Sequence, residues 1–176
     1  MKRLLLAVVL LLAGCTAVAH RESTYAKPRH CICSIEEVDS FDHKKAGVFL
    51  YVDEEGYVSG EIYEHGELAR TFGGGTDFND RLHEAFRKAA IPDIDWSAHF
   101  EKVSRATRER THVTFAVLDG WTQRIQMNFE GSKCDFTMSN PGPNIRHYAG
   151  EDELLGRLNA LFDVIAVEYG REEMRL

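Results

Sequence analysis

The chain has 176 residues, of which 44% are hydrophobic and 28% charged, a length and composition that suit one domain of ordinary size with a real apolar core. With 4 Pro and 14 Gly it is neither collagen-like nor a disordered chain. Its 21 Lys and Arg against 28 Asp and Glu give a formal charge of −7, which offers no basic surface for a phosphate backbone, so nucleic acid is excluded as the expected partner.

Met1, Lys2 and Arg3 open the chain, and Leu4 to Leu12 contains only Leu, Ala and Val. A basic n-region before a short apolar run is the pattern of an export signal. The run is shorter than the roughly 20 residues that a spanning helix needs. Leu12-Ala13-Gly14-Cys15 ends it, and there the sequence resembles a bacterial lipoprotein precursor with its lipobox. The resemblance covers residues 1–15 and implies cleavage after residue 14 and lipidation of Cys15, with several acyl chains giving stable attachment to the bilayer. It also implies a place in the cell envelope. Thr16, where an Asp commonly retains such proteins in the inner membrane, points to the outer membrane, with the domain facing the periplasm. The expected organisation is a signal peptide over 1–14, a lipid-anchored flexible tether over 15–30, and a single domain over 31–176. Without residues 1–14 the chain carries 19 basic and 28 acidic side chains, a charge of −9.

Beyond Cys15 three cysteines remain, Cys31, Cys33 and Cys134, and in an oxidising compartment a disulfide from Cys33, or from Cys31, to Cys134 is expected. Thiolates beside His30 also have the ligand chemistry of a soft metal or redox site.

Ala46 to Asp53 is rich in β-branched and aromatic residues and reads as a strand. After Glu54-Glu55-Gly56, Tyr57 to Tyr63 reads as its hairpin partner, and Leu68 to Phe72 completes a three-stranded meander. Gly73-Gly74-Gly75 ends it as a plain turn. A helix capped by Asp77 runs to about Ala90, with Phe78, Leu82 and Phe86 on one face, and a second is capped by Asp95, with Trp96, Phe100 and Val103 inward. His112 to Asp119 and Trp121 to Glu130 read as a hairpin about Asp119-Gly120, followed by a strand over Lys133 to Met138. Ser139 to Asn144, with Pro141 and Pro143, reads as an exposed, semi-rigid loop. A last helix is expected from about Glu151 to Tyr169.

The fold class is therefore α+β, in the order βββααβββα, with an antiparallel sheet of about six strands in two meanders and helices on one face. Tyr57 and Tyr63, sharing a strand face with Ser59 and Glu61, form one candidate partner surface, and Pro141 and Pro143 form another. No cofactor motif and no catalytic spacing is present. His83, His112 and His147 are dispersed along the chain, so an envelope hydrolase requires them to meet carboxylates in space. The expectation is a membrane-anchored periplasmic lipoprotein that binds a protein partner of the envelope, of assembly, inhibitor or immunity type. A metal or redox lipoprotein built on Cys31, Cys33 and Cys134, or a hydrolase, stands as the alternative.

Overall fold

The computed structural model describes residues 29–38, 46–113, 115 and 121–169. The signal segment, Cys15, the tether up to residue 28, the Asp119-Gly120 turn and Gly170 lie outside them. Six strands, β1 (Arg29–Glu37), β2 (Gly47–Asp53), β3 (Val58–Glu64), β4 (Glu67–Gly73), β5 (Thr122–Phe129) and β6 (Ser132–Ser139), form one sheet in the order β4-β3-β2-β1-β5-β6. All its pairings are antiparallel. Four helices accompany it: α1 (Thr76–Ala89), α2 (Trp96–Thr111), α3 (Pro141–Tyr148) and α4 (Glu153–Tyr169).

The first meander and the strand pair β5–β6 form as read from the sequence, but the third strand on that side is β1. The expected strand over His112 to Asp119 does not begin where anticipated: His112 ends α2 in the left-handed region, donating its N–H to Arg108 O, and Val113 is exposed outside any strand. β1 instead runs between β2 and β5, with Ile35 opposite both Val48 and Ile125. Arg29 and His30, expected in the tether, belong to this strand. Its alternation is hidden by a bulge between Cys31 and Cys33, which puts an extra buried residue, Ile32, into the period.

One face of the sheet holds the core. Cys33, Ile35, Val48, Leu50, Val58, Ile62, Ile125, Met127, Cys134 and Phe136 pack there against Phe78, Leu82 and Phe86 of α1, Trp96 and Val103 of α2, Ile145 and Tyr148 of α3, and the leucines of α4. Gly47 sits where β2 meets β1 with φ +138°, and a Cβ built on it would lie 2.1 Å from Ile35 O. Only glycine lets the two backbones approach this closely.

Two local expectations are corrected. Helix α1 starts from Gly75, which carries no side-chain cap, and Asp77 lies in the first turn, where its charge complements the helix N-terminus. Gly73 and Gly74, with φ near +80°, turn the chain sharply enough for the helix to begin two residues earlier than expected. The segment Ser139 to Asn144 is not an exposed loop: β6 ends at Ser139 and α3 begins at Pro141, with Pro141, Gly142 and Ile145 buried. Proline is tolerated in the first turn because the N–H it lacks has no intrahelical partner there. Asn144 Nδ2 donates to Ser139 O at 2.8 Å and closes the corner. Helix α2 begins as expected, with Asp95 accepting from Ala98 N–H at 2.9 Å.

Candidate interaction surface

Strand alternation directs Arg29, Cys31, Ser34, Phe49, Tyr51, Ser59, Glu61 and Tyr63 to the face away from the core: Phe49 lies opposite Glu61, Tyr51 opposite Ser59, and Cys31 opposite Tyr51. None of these belongs to the core cluster that the helices cover. At the centre of this outer face Glu61 is only 5% exposed. Arg29 Nη2 donates to its Oε1 at 2.6 Å, and Tyr63 Oη donates to its Oε2 at 3.1 Å. A buried carboxylate needs such partners on both oxygens. The Arg29 guanidinium also sits 4.3 Å from the Tyr51 ring centroid, and Tyr63 meets Phe49 edge-on at 5.5 Å. Burial, with Glu61 nearby, pushes the Tyr51 phenol up to about 12. Burial and the hydrogen bond to Glu61 raise Tyr63 as well. Both rings are therefore neutral at physiological pH.

The other half of the same face is polar. Arg124 donates through Nε and Nη2 to the two oxygens of Asp135, and Gln126 adds a third bond. The Arg124 hydrogen bond holds the Asp135 carboxyl below its usual range, assisted by Gln126 and opposed by slight burial. The sheet edges are unequal in character. On β6 the Lys133 N–H donates to Ile91 O, engaging the start of one edge. The opposite edge strand, β4, is exposed along nearly its whole length, and its register shifts between Ile62 and Tyr63. A bulged edge disfavours strand addition, and at the centre of the outer face Phe49 and Ser34 are buried along with Glu61.

Ser59, Glu61 and Tyr63 share a face as expected from the sequence, but Glu61 is an ion-paired, buried group and not part of an open acidic patch. Tyr57 precedes β3 in the turn after β2. It is 46% exposed, and the turn is held by Asp53 Oδ1, which accepts from Glu55 N–H and Tyr57 N–H at 2.9 Å each. Pro141 is buried and Pro143 half-buried in α3, which removes the exposed loop on which their candidacy rested.

The cysteines do not converge. Cys33 and Cys134 both face the core as free thiols, but Met127 of β5 stands between them, opposite each. Two strand spacings amount to about 9–10 Å, beyond the roughly 7 Å limit for a disulfide. Cys31 is exposed on the other face, so the expected disulfide to Cys134 has no geometry from either position. Burial pushes the Cys33 thiol well up, and burial with nearby Asp135 brings Cys134 to about 12. Neither is a ready thiolate. Among the described residues no group of three His, Cys, Asp or Glu is placed to hold a metal ion, and the metal or redox centre on Cys31, Cys33 and Cys134 lacks a common site.

The histidines likewise stay apart. His83 on α1 lies beside a carboxylate, with Nδ1 2.7 Å from Glu130 Oε1, but its Nε2 donates to Gly56 O at 3.0 Å. Both ring nitrogens are thus engaged in joining α1 to two hairpin turns, and neither faces a nucleophile. His147 stacks on Phe115 at 3.9 Å, while His112 is exposed at the end of α2. The Arg29–Glu61 pair and a second pair, His99 with Asp152 at 3.0 Å, escape sequence reasoning because their members lie far apart in the chain.

Asp152 is also the cap of α4, accepting from Leu155 N–H at 3.0 Å. Burial acts to raise its carboxyl, but the Leu155 N–H, His99 and the Leu154 N–H outweigh it and hold the group below 3.8. A depressed carboxyl stabilises the fold above its ordinary value, and the contribution is lost as pH falls through the lower folded value. Asp152→Ala is therefore expected to cost about 1 kcal/mol at neutral pH. Urea unfolding of both proteins would show the difference shrinking below about pH 3.8.

Comparison with known proteins matches this chain to no family model, no curated protein and no solved structure.

Proposed function

We propose that this chain is a lipid-anchored lipoprotein of the bacterial envelope, held in the outer membrane through acylated Cys15, whose periplasmic domain binds a protein partner and carries out no chemistry of its own. The anchor rests on the Leu12-Ala13-Gly14-Cys15 motif behind a basic and apolar leader. The observation that carries the binding role is the aromatic half of the outer sheet face. Arg29, Tyr51 and Tyr63 are locked together there around Glu61, with Tyr57 exposed in the adjoining turn. Rigid Tyr and Arg side chains lose little entropy on binding and dominate protein interfaces.

Two measurements test this reading. Radiolabelled palmitate is expected to enter the chain, globomycin to cause a precursor to accumulate, and Cys15→Ser to abolish the label; an unlabelled mature chain removes the anchor. The full chain in dodecyl maltoside, immobilised and exposed to the detergent-solubilised envelope of its own host, is expected to retain one protein in stoichiometric amount. Tyr57→Ala with Tyr63→Ala is expected to weaken that complex by about 30-fold, the loss of an aromatic hot spot worth about 2 kcal/mol. Unchanged affinity with an intact circular dichroism spectrum would refute the surface.

A further inference from the structure

We infer that His83 is a proton-operated clamp, holding the β2–β3 turn and the β5–β6 turn to α1 while its ring carries two protons and releasing the β2–β3 turn when it carries one. Both ring nitrogens face acceptors. Nδ1 lies 2.7 Å from Glu130 Oε1 and Nε2 lies 3.0 Å from Gly56 O, and neither a carboxylate nor a carbonyl has a proton to give. A neutral imidazole carries one N–H, so it serves one of these partners and turns a lone pair on the other. Only the imidazolium serves both. Its charge is met where it arises, since Glu130 ion-pairs with a ring whose side chain is 20% exposed. Glu130 also stands in the left-handed region, φ +48°, ahead of Gly131 in the β5–β6 turn, a position where Asn or Asp is the usual residue. The longer carboxylate found there is the one that reaches His83.

The surroundings decide which bond the neutral ring keeps. A hydrogen bond to a carboxylate is roughly twice as strong as one between neutral groups, so the remaining proton stays on Nδ1 and the bare Nε2 repels Gly56 O. Arg87 Nε lies 3.7 Å from Glu130 Oε2, and Glu84 holds the same guanidinium at 3.0 Å, so Glu130 keeps a cationic neighbour in either state of the ring. Asp80 stands one helical turn before His83 on α1, and Asp53, Glu54 and Glu55 precede Gly56 in the β2–β3 turn. Phe129 meets the ring edge-on at 4.8 Å. The released turn has a pivot. Asn79 Oδ1 accepts from Val58 N–H at 2.9 Å and keeps the start of β3 on α1, while the turn's own bonds, Asp53 N–H to Tyr57 O and Gly56 N–H to Asp53 O at 3.1 Å each, weaken once its tip is free. Tyr57 rides on this turn, so under the protein-binding reading the proton also sets how that ring is presented; the clamp itself does not rest on that reading.

The isotope-labelled full chain in dodecyl maltoside is measured by nuclear magnetic resonance at about pH 5 and about pH 8.5, on either side of the range in which histidine side chains ordinarily titrate. Nitrogen–proton correlations within the His83 ring are expected to show both nitrogens protonated at the lower pH and Nδ1 alone at the higher. Over the same change the hydrogen-exchange protection of the Gly56 and Tyr57 amides is expected to fall at least about fivefold, the worth of one hydrogen bond, and that of the Lys133 amide less than about twofold. His83→Gln, which keeps a donor but does not titrate, is expected to remove the pH dependence at Gly56 and Tyr57. A single ring proton at the lower pH, two at the higher, unchanged protection at Gly56 and Tyr57, or the same loss at Lys133 or in His83→Gln would overturn the inference. The ring measurement needs no variant, so it decides the matter even where His83→Gln fails to fold.

Discussion

Gly47→Ala is expected to lower folding stability by about 3 kcal/mol or more, combining a backbone strain of about 1–3 kcal/mol with an overpacking term of similar size. The new Cβ would meet the Ile35 carbonyl at 2.1 Å, with Glu36 Cα at 3.0 Å, and the residue holds φ +138°. These obstacles are backbone, not the yielding end of a side chain, and they belong to β1, which is paired on both sides. Relief requires β1 and β2 to separate at the place where they are joined. Equilibrium urea unfolding would measure the loss as a lower midpoint with an unchanged slope. A midpoint equal to that of the natural chain would show that the close approach at Gly47 carries no constraint.

Trp96→Ala is expected to cost about 3–5 kcal/mol, the range for removing a large buried aromatic side chain. Trp96 is 1% exposed, stacks on Phe136 of β6 at 5.2 Å, meets His99 edge-on at 5.8 Å and donates from Nε1 to Pro92 O at 3.2 Å. It therefore joins α2 to the sheet and closes the Pro92 turn at the same time. Truncation leaves a void beneath α2 and strips Phe136 of its stacking partner. Thermal unfolding should show the loss directly, and Trp96→Phe is expected to recover most of the packing but not the bond to Pro92.

What the sequence discloses here follows the range of the physics involved. Alternation within β2, β3, β5 and β6 and the cap at Asp95 are local signals, set by neighbours a few residues away, and they were legible. β1 was not, because its bulge at Ile32 breaks the two-residue period and its charged and cysteine residues resemble a tether. The Pro141–Pro143 segment misled for a different reason: two prolines forbid a helix interior but not a first turn, and only the burial of Ile145 and Tyr148 beyond them decides between the two. Cys33 and Cys134 looked like a bridge as long as the strand between them was unknown. In the candidate surface, Tyr63 of β3 and its face-sharing with Glu61 were readable, but the neutralisation of Glu61 was not, since Arg29 reaches it from a different strand.

The central place of β1 also governs the order in which the fold can be completed. Its two neighbours lie at very different distances along the chain: Val48, opposite Ile35 on one side, belongs to the next strand, while Ile125, opposite it on the other, is made after both α1 and α2. Contacts of such wide sequence separation slow folding because a long loop must close before they form. A chain emerging N-terminus first therefore assembles β1 to β4 early, leaving the far side of β1 as a row of unsatisfied amides and carbonyls until β5 arrives. In that interval the strand that will lie deepest in the sheet is its most exposed edge, open to pairing with any other unfinished copy.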